Sequence, residues 1–348
     1  MSRRMSRGVL GAMLLLAIGS GVAESATLNV ANNGVDNNFC GAADSPCRSI
    51  SQAIANATNG DTVLVGPGRY GDLNGDGRLG GPGEEAGPAD CACMIEVKKQ
   101  LTLQSRDGAG ATILDASVAG LDGVVAVVIR ADGVVFGMPR HGFLITNARR
   151  SGLTVQANGV TVAGNVAIGN GANGNKAFDI QGTGNTVSDN VAVNNPNVGF
   201  GISGDGVIAT GNVASDNLEG FDVSFSGQFT DNVASGNRFH GLVVNANNTK
   251  VLEIHRNAVL GNRNLGIRVF HSNVTITENN IFGNDGIGSN CGLDNNTGSS
   301  LTASRNFWGA TTGPGPDPAD AVCNEVGSTT IVDPFASRPF HIKVEAGR

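Results

Sequence analysis

A short phrase returns six times between residues 147 and 284, and it constrains the fold more than any other feature. It reads AGNVAIGN (163–170), SDNVAVNN (188–195), TGNVASDN (210–217), TDNVASGN (230–237), HRNAVLGN (255–262) and TENNIFGN (277–284). Its first asparagines are Asn165, Asn190, Asn212, Asn232, Asn257 and Asn279, at steps of 25, 22, 20, 25 and 22 residues. A second set follows five residues later: Asn170, Asn195, Asn217, Asn237, Asn262 and Asn284. Asn147, in LITN, is expected to begin the series. In phase with both runs a third column: GLTV (152–155), AFDI (177–180), GFGI (199–202), GFDV (220–223), GLVV (241–244) and GIRV (266–269). A repeat of this length means a solenoid, whose units bury their apolar side only by stacking on one another.

The unit is too short for helix pairs and has no leucine-rich consensus. Short apolar segments alternate with Asn, Gly and Asp turns, so it reads as β structure. The expected class is all-β, a parallel β-helix of roughly ten coils about 4.8 Å apart, which aligns like residues into ladders. Asparagine suits its turns because it tolerates left-handed backbone angles and bonds locally, and stacked amides can bond from coil to coil. The asparagine columns are therefore read as structural. Whether the valines or the alanines of NVAxxN face the core is not decided by the pattern.

Residues 1–7 carry three arginines, and Gly8 to Val22 is small and apolar. This predicts a secretory signal peptide over residues 1–23, too short for a stable span. The remainder, 24–348, is expected to be one domain: cap and first coil (27–70), an insertion (71–95), coils (96–310) and a C-terminal cap (311–348). The product is expected to be secreted or periplasmic, and a monomer. The 52 glycines and 15% charged residues suit turn-rich β structure. A net charge of -7 argues against nucleic acid as a partner. Six cysteines in an exported chain favour disulfides. Cys40–Cys47 and Cys291–Cys323 are the preferred pairs, each stapling one end. That leaves Cys91 and Cys93, although fifteen pairings are open on sequence alone.

At the N-terminal end, TLNV is a strand candidate. Ser49 and Gln52 look like a capping box, with Ile50, Ala53, Ile54 and Ala57 on one helical face. A helix here would close the open end of the stack. DTVLV (61–65) and Gly66-Pro67-Gly68 then read as strand and turn. The run CRSISQAIANATNGDTVLVGPGRY resembles the opening of secreted pectin-lyase-like, right-handed parallel β-helix proteins. The ending NFWGATTGPGPDP (306–318) resembles the last coil of the group that includes NosD-like proteins. The resemblance spans about residues 45 to 335. It implies a right-handed β-helix with an N-terminal capping helix, and it assigns no activity, since this fold hosts many.

Asp72-Leu73-Asn74-Gly75-Asp76-Gly77-Arg78-Leu79 matches the first eight positions of an EF-hand-type loop. Asp72, Asn74, Asp76 and the Arg78 carbonyl are the expected Ca²⁺ ligands. Position twelve is Gly83, and Glu84 and Glu85 fall one and two residues late.

In the GFxV strands, alternation puts Thr154, Asp179, Gly201, Asp222, Val243 and Arg268 in one outward column. Arg238, His240, His255, Arg256, Arg263 and His271 would add a basic cluster. The family resemblance makes this face the place to expect a polysaccharide. Asp179 and Asp222, two coils apart, would stand about 10 Å from one another, more than a catalytic carboxylate pair needs. Arg268 could hold a sugar carboxylate, and His240 or His271 could act as a base. No GxSxG, P-loop or HExxH occurs. The preferred expectation is a binding protein for a polysaccharide or surface partner, with a polysaccharide lyase or glycoside hydrolase as the alternative.

Overall fold

A computed structural model describes residues 25–118, 122–245, 250–285 and 290–342. The expected signal peptide lies outside the described residues. Within them the chain is almost entirely parallel β structure, with one α-helix.

Each coil contributes one strand to each of three faces. The first face includes Cys93–Val97, Val125–Ile129, Leu153–Gln156, Phe178–Gln181, Leu242–Val244, Ile267–Val269 and Cys291–Asn295. The second includes Thr27–Val30, Thr62–Val65, Thr102–Ser105, Thr161–Ala163, Thr186–Ser188, Leu252–His255 and Val274–Thr277. Two long strands, Val198–Thr210 and Glu219–Thr230, run round the corner from first to second face. The third face carries Gly68–Gly71, Thr112–Asp115, Leu144–Thr146 and then one copy of the NVA segment per coil.

Apolar residues fill the interior in ladders. Phe178, Phe200 and Phe221 stack with centroids 4.8 and 4.9 Å apart and rings nearly parallel. On the third face the alanines point inward: Ala167, Ala192, Ala214 and Ala234 are buried, while Val166, Val191, Val213 and Val233 are half-buried outside. Space decides this. A side chain on Gly199 would stand 3.2 Å from the Ala192 methyl, and one on Gly220 would stand 3.3 Å from that of Ala234. The interior is narrow there, and only small residues fit on both walls.

The asparagine columns are fully buried, not in the turns proper. Asn212 is representative: its Oδ1 accepts from Asn190 N at 3.1 Å and Asn190 Nδ2 at 3.0 Å. Its Nδ2 donates to Val187 O at 2.8 Å and lies 2.9 Å from Asn232 Oδ1. The same pattern links Asn165 through Asn279 to Asn306, and Asn170 through Asn284 to Asp320. The left-handed angle belongs to the residue before each asparagine. Asp189, Asp231, Arg256, Glu278 and Arg305 have φ between 53° and 58°, and Asn194 and Asp216 match them in the second column. This corrects the reading of Asn147. It is itself a left-handed residue (φ 62°), exposed, and Ala148 takes the ladder position by donating its N–H to Asn170.

The N-terminal end is covered by α1 (Ile50–Asn56), which buries Ile50, Ala53 and Ile54. Ser49 caps it by accepting from Gln52 N at 3.1 Å. The reciprocal half of the capping box is absent: the Gln52 amide donates to Asn56, and Asp36 accepts from Ser49 N. The insertion fills the gap with Glu85, whose carboxylate accepts from Ile50 N, Ser51 N and Ser51 Oγ at 2.6–2.9 Å. The cysteines pair as Cys40–Cys47, Cys91–Cys93 and Cys291–Cys323. Among the described residues no helix is long and apolar enough to cross a membrane.

Candidate functional site

The strand registers place one outward column along the first face: Glu96, Val128, Thr154, Asp179, Gly201, Asp222, Val243, Arg268 and Asp294. Parallel pairing without slippage between adjacent coils is what brings residues 25 or so apart onto one line. Thr154 and Val243 lie in the column as alternation demands, yet neighbours cover both. Asp179, Asp222 and Arg268 stay partly exposed, whereas Glu96 and Asp294 are nearly covered.

Lys176 organises the middle of this line. Its Nζ lies 3.8 Å from Asp179 Oδ1 and 3.6 Å from Asp222 Oδ2, tying together two carboxylates on alternate coils. It passes over Gly201, where an added Cβ would stand 2.0 Å from the Lys176 Cδ. The gap in the column is therefore the channel for the lysine. Asn245 Nδ2 donates to Asp222 Oδ1 at 2.8 Å, and Gln181 Nε2 donates to Asp179 Oδ2 at 3.3 Å.

At one end of the line, Arg268 Nε sits 3.1 Å from Asp294 Oδ2, and the guanidinium stacks over Phe270 at 4.8 Å. Burial raises the pKa of Asp294, against the lowering charge of Arg268. Glu219 adjoins this group; burial raises its pKa, and the Asp222 charge adds to that while Arg268 opposes it. At the other end Glu96 receives both Lys98, at 2.7 Å, and Arg130, at 2.9 Å, and Arg130 also donates to Gln156 at 2.7 Å.

Of the two histidines expected as a base, His240 is buried and His271 lies off the strand. His240 is only 3% exposed, its ring tilted against that of Phe239 with centroids 3.9 Å apart. Burial first, and the Arg268 charge second, push its pKa down to about 4, so it is neutral at neutral pH and shielded from a ligand. His271 lies in the loop beyond the strand, with Nδ1 accepting from Asn273 N at 3.1 Å. The basic cluster is also dispersed. Arg256 pairs with Asp231 at 3.0 Å, His255 lies 3.6 Å from Glu278, and Arg238 donates to the Asn195 and Pro196 carbonyls. Lys176, Glu219, Asn245 and Asp294 escaped sequence reasoning. The signal for two of them was available: KAFD (176–179) and EGFD (219–222) each set a charged residue three before the aspartate.

The insertion holds a second polar constellation. Asp72 accepts from Gly75 N and Gly77 N at 2.8 and 2.7 Å, Asn74 from Asp76 N at 2.7 Å, and Asp76 from Arg78 N at 2.8 Å. Glu84 closes the loop by accepting from Leu73 N, Asn74 N and Gly81 N. Of the two late acids, Glu84 therefore stays with the loop and Glu85 leaves it for α1. The Asp36, Cys40 and Cys47 side chains also converge, but the two sulfurs are bonded to each other and offer no thiolate.

No protein-family profile matches the chain, and no curated protein does. Among solved structures, one described as the crystal structure of pectate lyase Pel9A is similar over 91% of this chain and 80% of its own, at 16% identity and a TM-score of 0.45. That likeness gives no residue here a role. The chain's own pairing is sufficient for the architecture: every register between its strands is parallel, and each crossover returns one coil further on, in the hand that parallel crossovers take. The chain is a right-handed parallel β-helix with an N-terminal capping helix.

Proposed function

We propose that this is an exported glycan-binding β-helix, whose ligand lies lengthwise on the first face. The observation that carries the reading is the set of charged groups in a single register column, Glu96, Asp179, Asp222, Arg268 and Asp294, with Lys176 and the amides of Gln181 and Asn245 beside it. Its rungs are ~4.8 Å apart, so an extended polymer laid along it would meet a charged group every one to three coils. Three disulfides support export, since such bonds persist in oxidising compartments.

The test is a binding measurement on Asp179→Ala and Asp222→Ala. Each is expected to weaken glycan binding roughly tenfold or more, the worth of a hydrogen bond to a charged group. Thermal melting should hardly move, because both carboxylates are surface groups in ion pairs with one lysine. Arg268→Ala is expected to weaken binding and also to lower the melting temperature, since it strands the buried Asp294. Full binding by both aspartate variants would place the ligand elsewhere.

A second reading, a polysaccharide hydrolase or lyase on the same face, has one specific observation behind it. Burial first, and the Asp222 charge second, raise the pKa of Glu219, and a carboxyl so shifted beside a second carboxyl group is one arrangement used for general acid catalysis. Release of reducing or unsaturated ends by wild type, abolished in Glu219→Gln, would establish it.

Calcium is proposed as a clip on the insertion. What supports this is the tight turn that carries Asp72, Asn74 and Asp76, whose side chains accept from Gly75, Gly77, Asp76 and Arg78 N–H groups of the same loop. Calcium is expected to raise the melting temperature, because a ligand that binds only the folded chain stabilises it. Asp76→Ala should remove the rise. Calorimetry without calcium-dependent heat would exclude the site.

A further inference from the structure

We infer that the ligand of the first face is a neutral polysaccharide, not a polyuronate; this rests on the glycan-binding reading above. The cations of that face each lie within 3.8 Å of a protein carboxylate, although the buried Arg268 Nε makes no hydrogen bond. Lys176 is held between Asp179 and Asp222, Arg268 stands against Asp294 and beside Glu219, and Arg130 serves Glu96. A sugar carboxylate needs a cation free to meet it with paired hydrogen bonds. Here it would first have to displace a protein carboxylate, while facing the others along the column. The whole chain adds to the repulsion with a net charge of -7. Arg149 and Arg150 stand on the turn before Leu153–Gln156, outside the row.

What the face does offer suits hydroxyl groups. Carboxylates held by cations accept hydrogen bonds from sugar hydroxyls, and amides such as Gln181 and Asn245 both donate and accept. Apolar surface lies beside them. Leu218 and Phe239 are exposed on successive coils next to Glu219, and Phe270 is exposed beneath Arg268. Sugar rings present C–H faces to such groups. Pinned charges, amides and exposed aromatic carbon are the donor set for an uncharged chain.

The experiment is affinity electrophoresis of the full disulfide-bonded protein through gels containing xylan, galactomannan, mixed-linkage β-glucan, polygalacturonate, alginate or chitosan, at low and high salt. The expected result is retardation by at least one neutral polymer, little changed by salt, and at least about tenfold weaker retention by both polyuronates. The double variant Asp179→Asn/Asp222→Asn, which releases Lys176, should lose neutral-polymer retention and gain salt-sensitive retention by polygalacturonate. Retention of wild type by a polyuronate or by chitosan in preference overturns the neutral class while leaving glycan binding intact. Retention by no polymer overturns the binding reading itself.

Discussion

Asn212→Leu is expected to cost about 5 kcal/mol of stability, enough to unfold most of the chain at moderate temperature. The side chain is 0% exposed and every polar atom on it is used. Leucine fills the volume but removes three buried bonds: the acceptor of Asn190 N, one of the two acceptors of Asn190 Nδ2, which keeps Val162 O, and the side-chain donor to Val187 O. Losing one partner of a buried bond costs roughly 1–3 kcal/mol, and three such bonds are lost here. Neighbouring coils then lose their seating, because each unit depends on the next. Asn194→Ala is the control: it is exposed and left-handed, so only a backbone penalty of about 1 kcal/mol follows. Urea unfolding of the two variants side by side checks this. A loss below about 1 kcal/mol for Asn212→Leu would show that the buried amides contribute packing alone.

Glu85→Ala is expected to lower stability by about 2–4 kcal/mol, concentrated at the N-terminal cap. Glu85 is 1% exposed and accepts three hydrogen bonds from the start of α1. Burial raises its pKa despite them. With a folded-state pKa above the unfolded one, its contribution is fullest at low pH and declines as pH rises through the folded value. The difference between wild type and Glu85→Ala should therefore shrink toward alkaline pH. Hydrogen exchange adds a local readout: the Ile50 and Ser51 amides should lose protection while the Asn212 region keeps its own. Uniform loss across the chain, or none, would mean that the insertion does not secure the cap.

Much of the architecture was legible because a solenoid writes its geometry as phase. The spacing of Asn165 to Asn284 fixes the coils, and residues such as Gly164, Gly169, Asp216 and Gly236 before the asparagines mark the left-handed positions. Arg256, Glu278 and Arg305 occupy that same position without the composition that would reveal it. Asn147 misled by composition: it is an asparagine one residue out of phase. The choice between valine and alanine on the third face depends on how close the opposite wall stands, a distance no local pattern contains. The outward column was legible from alternation, but its pairing was not. Lys176 reaches across to a different coil, and Asp294 lies in a coil where the GFxV pattern has faded to CGLDN. Arg268, read from sequence as a free cation for a ligand, is accordingly a partner of Asp294.

The second asparagine row also has a direction. From Asn195 to Asn284 each amide donates one N–H to the next member toward the C-terminus and the other back to a main-chain carbonyl of the coil before. Asp320 receives it, accepting from Gly283 N, Asn284 N and Asn284 Nδ2. An asparagine there could hand the bond on to another coil; an aspartate has nothing to hand on. It is a terminator in the sense that a polymer chemist would use the word: a monomer that can join the growing chain and cannot extend it. Asp320 thus ends its own row, while the first row ends on Asn306 and two further strands, Ala321–Asn324 and Thr329–Ile331, still pair onto the stack beyond it.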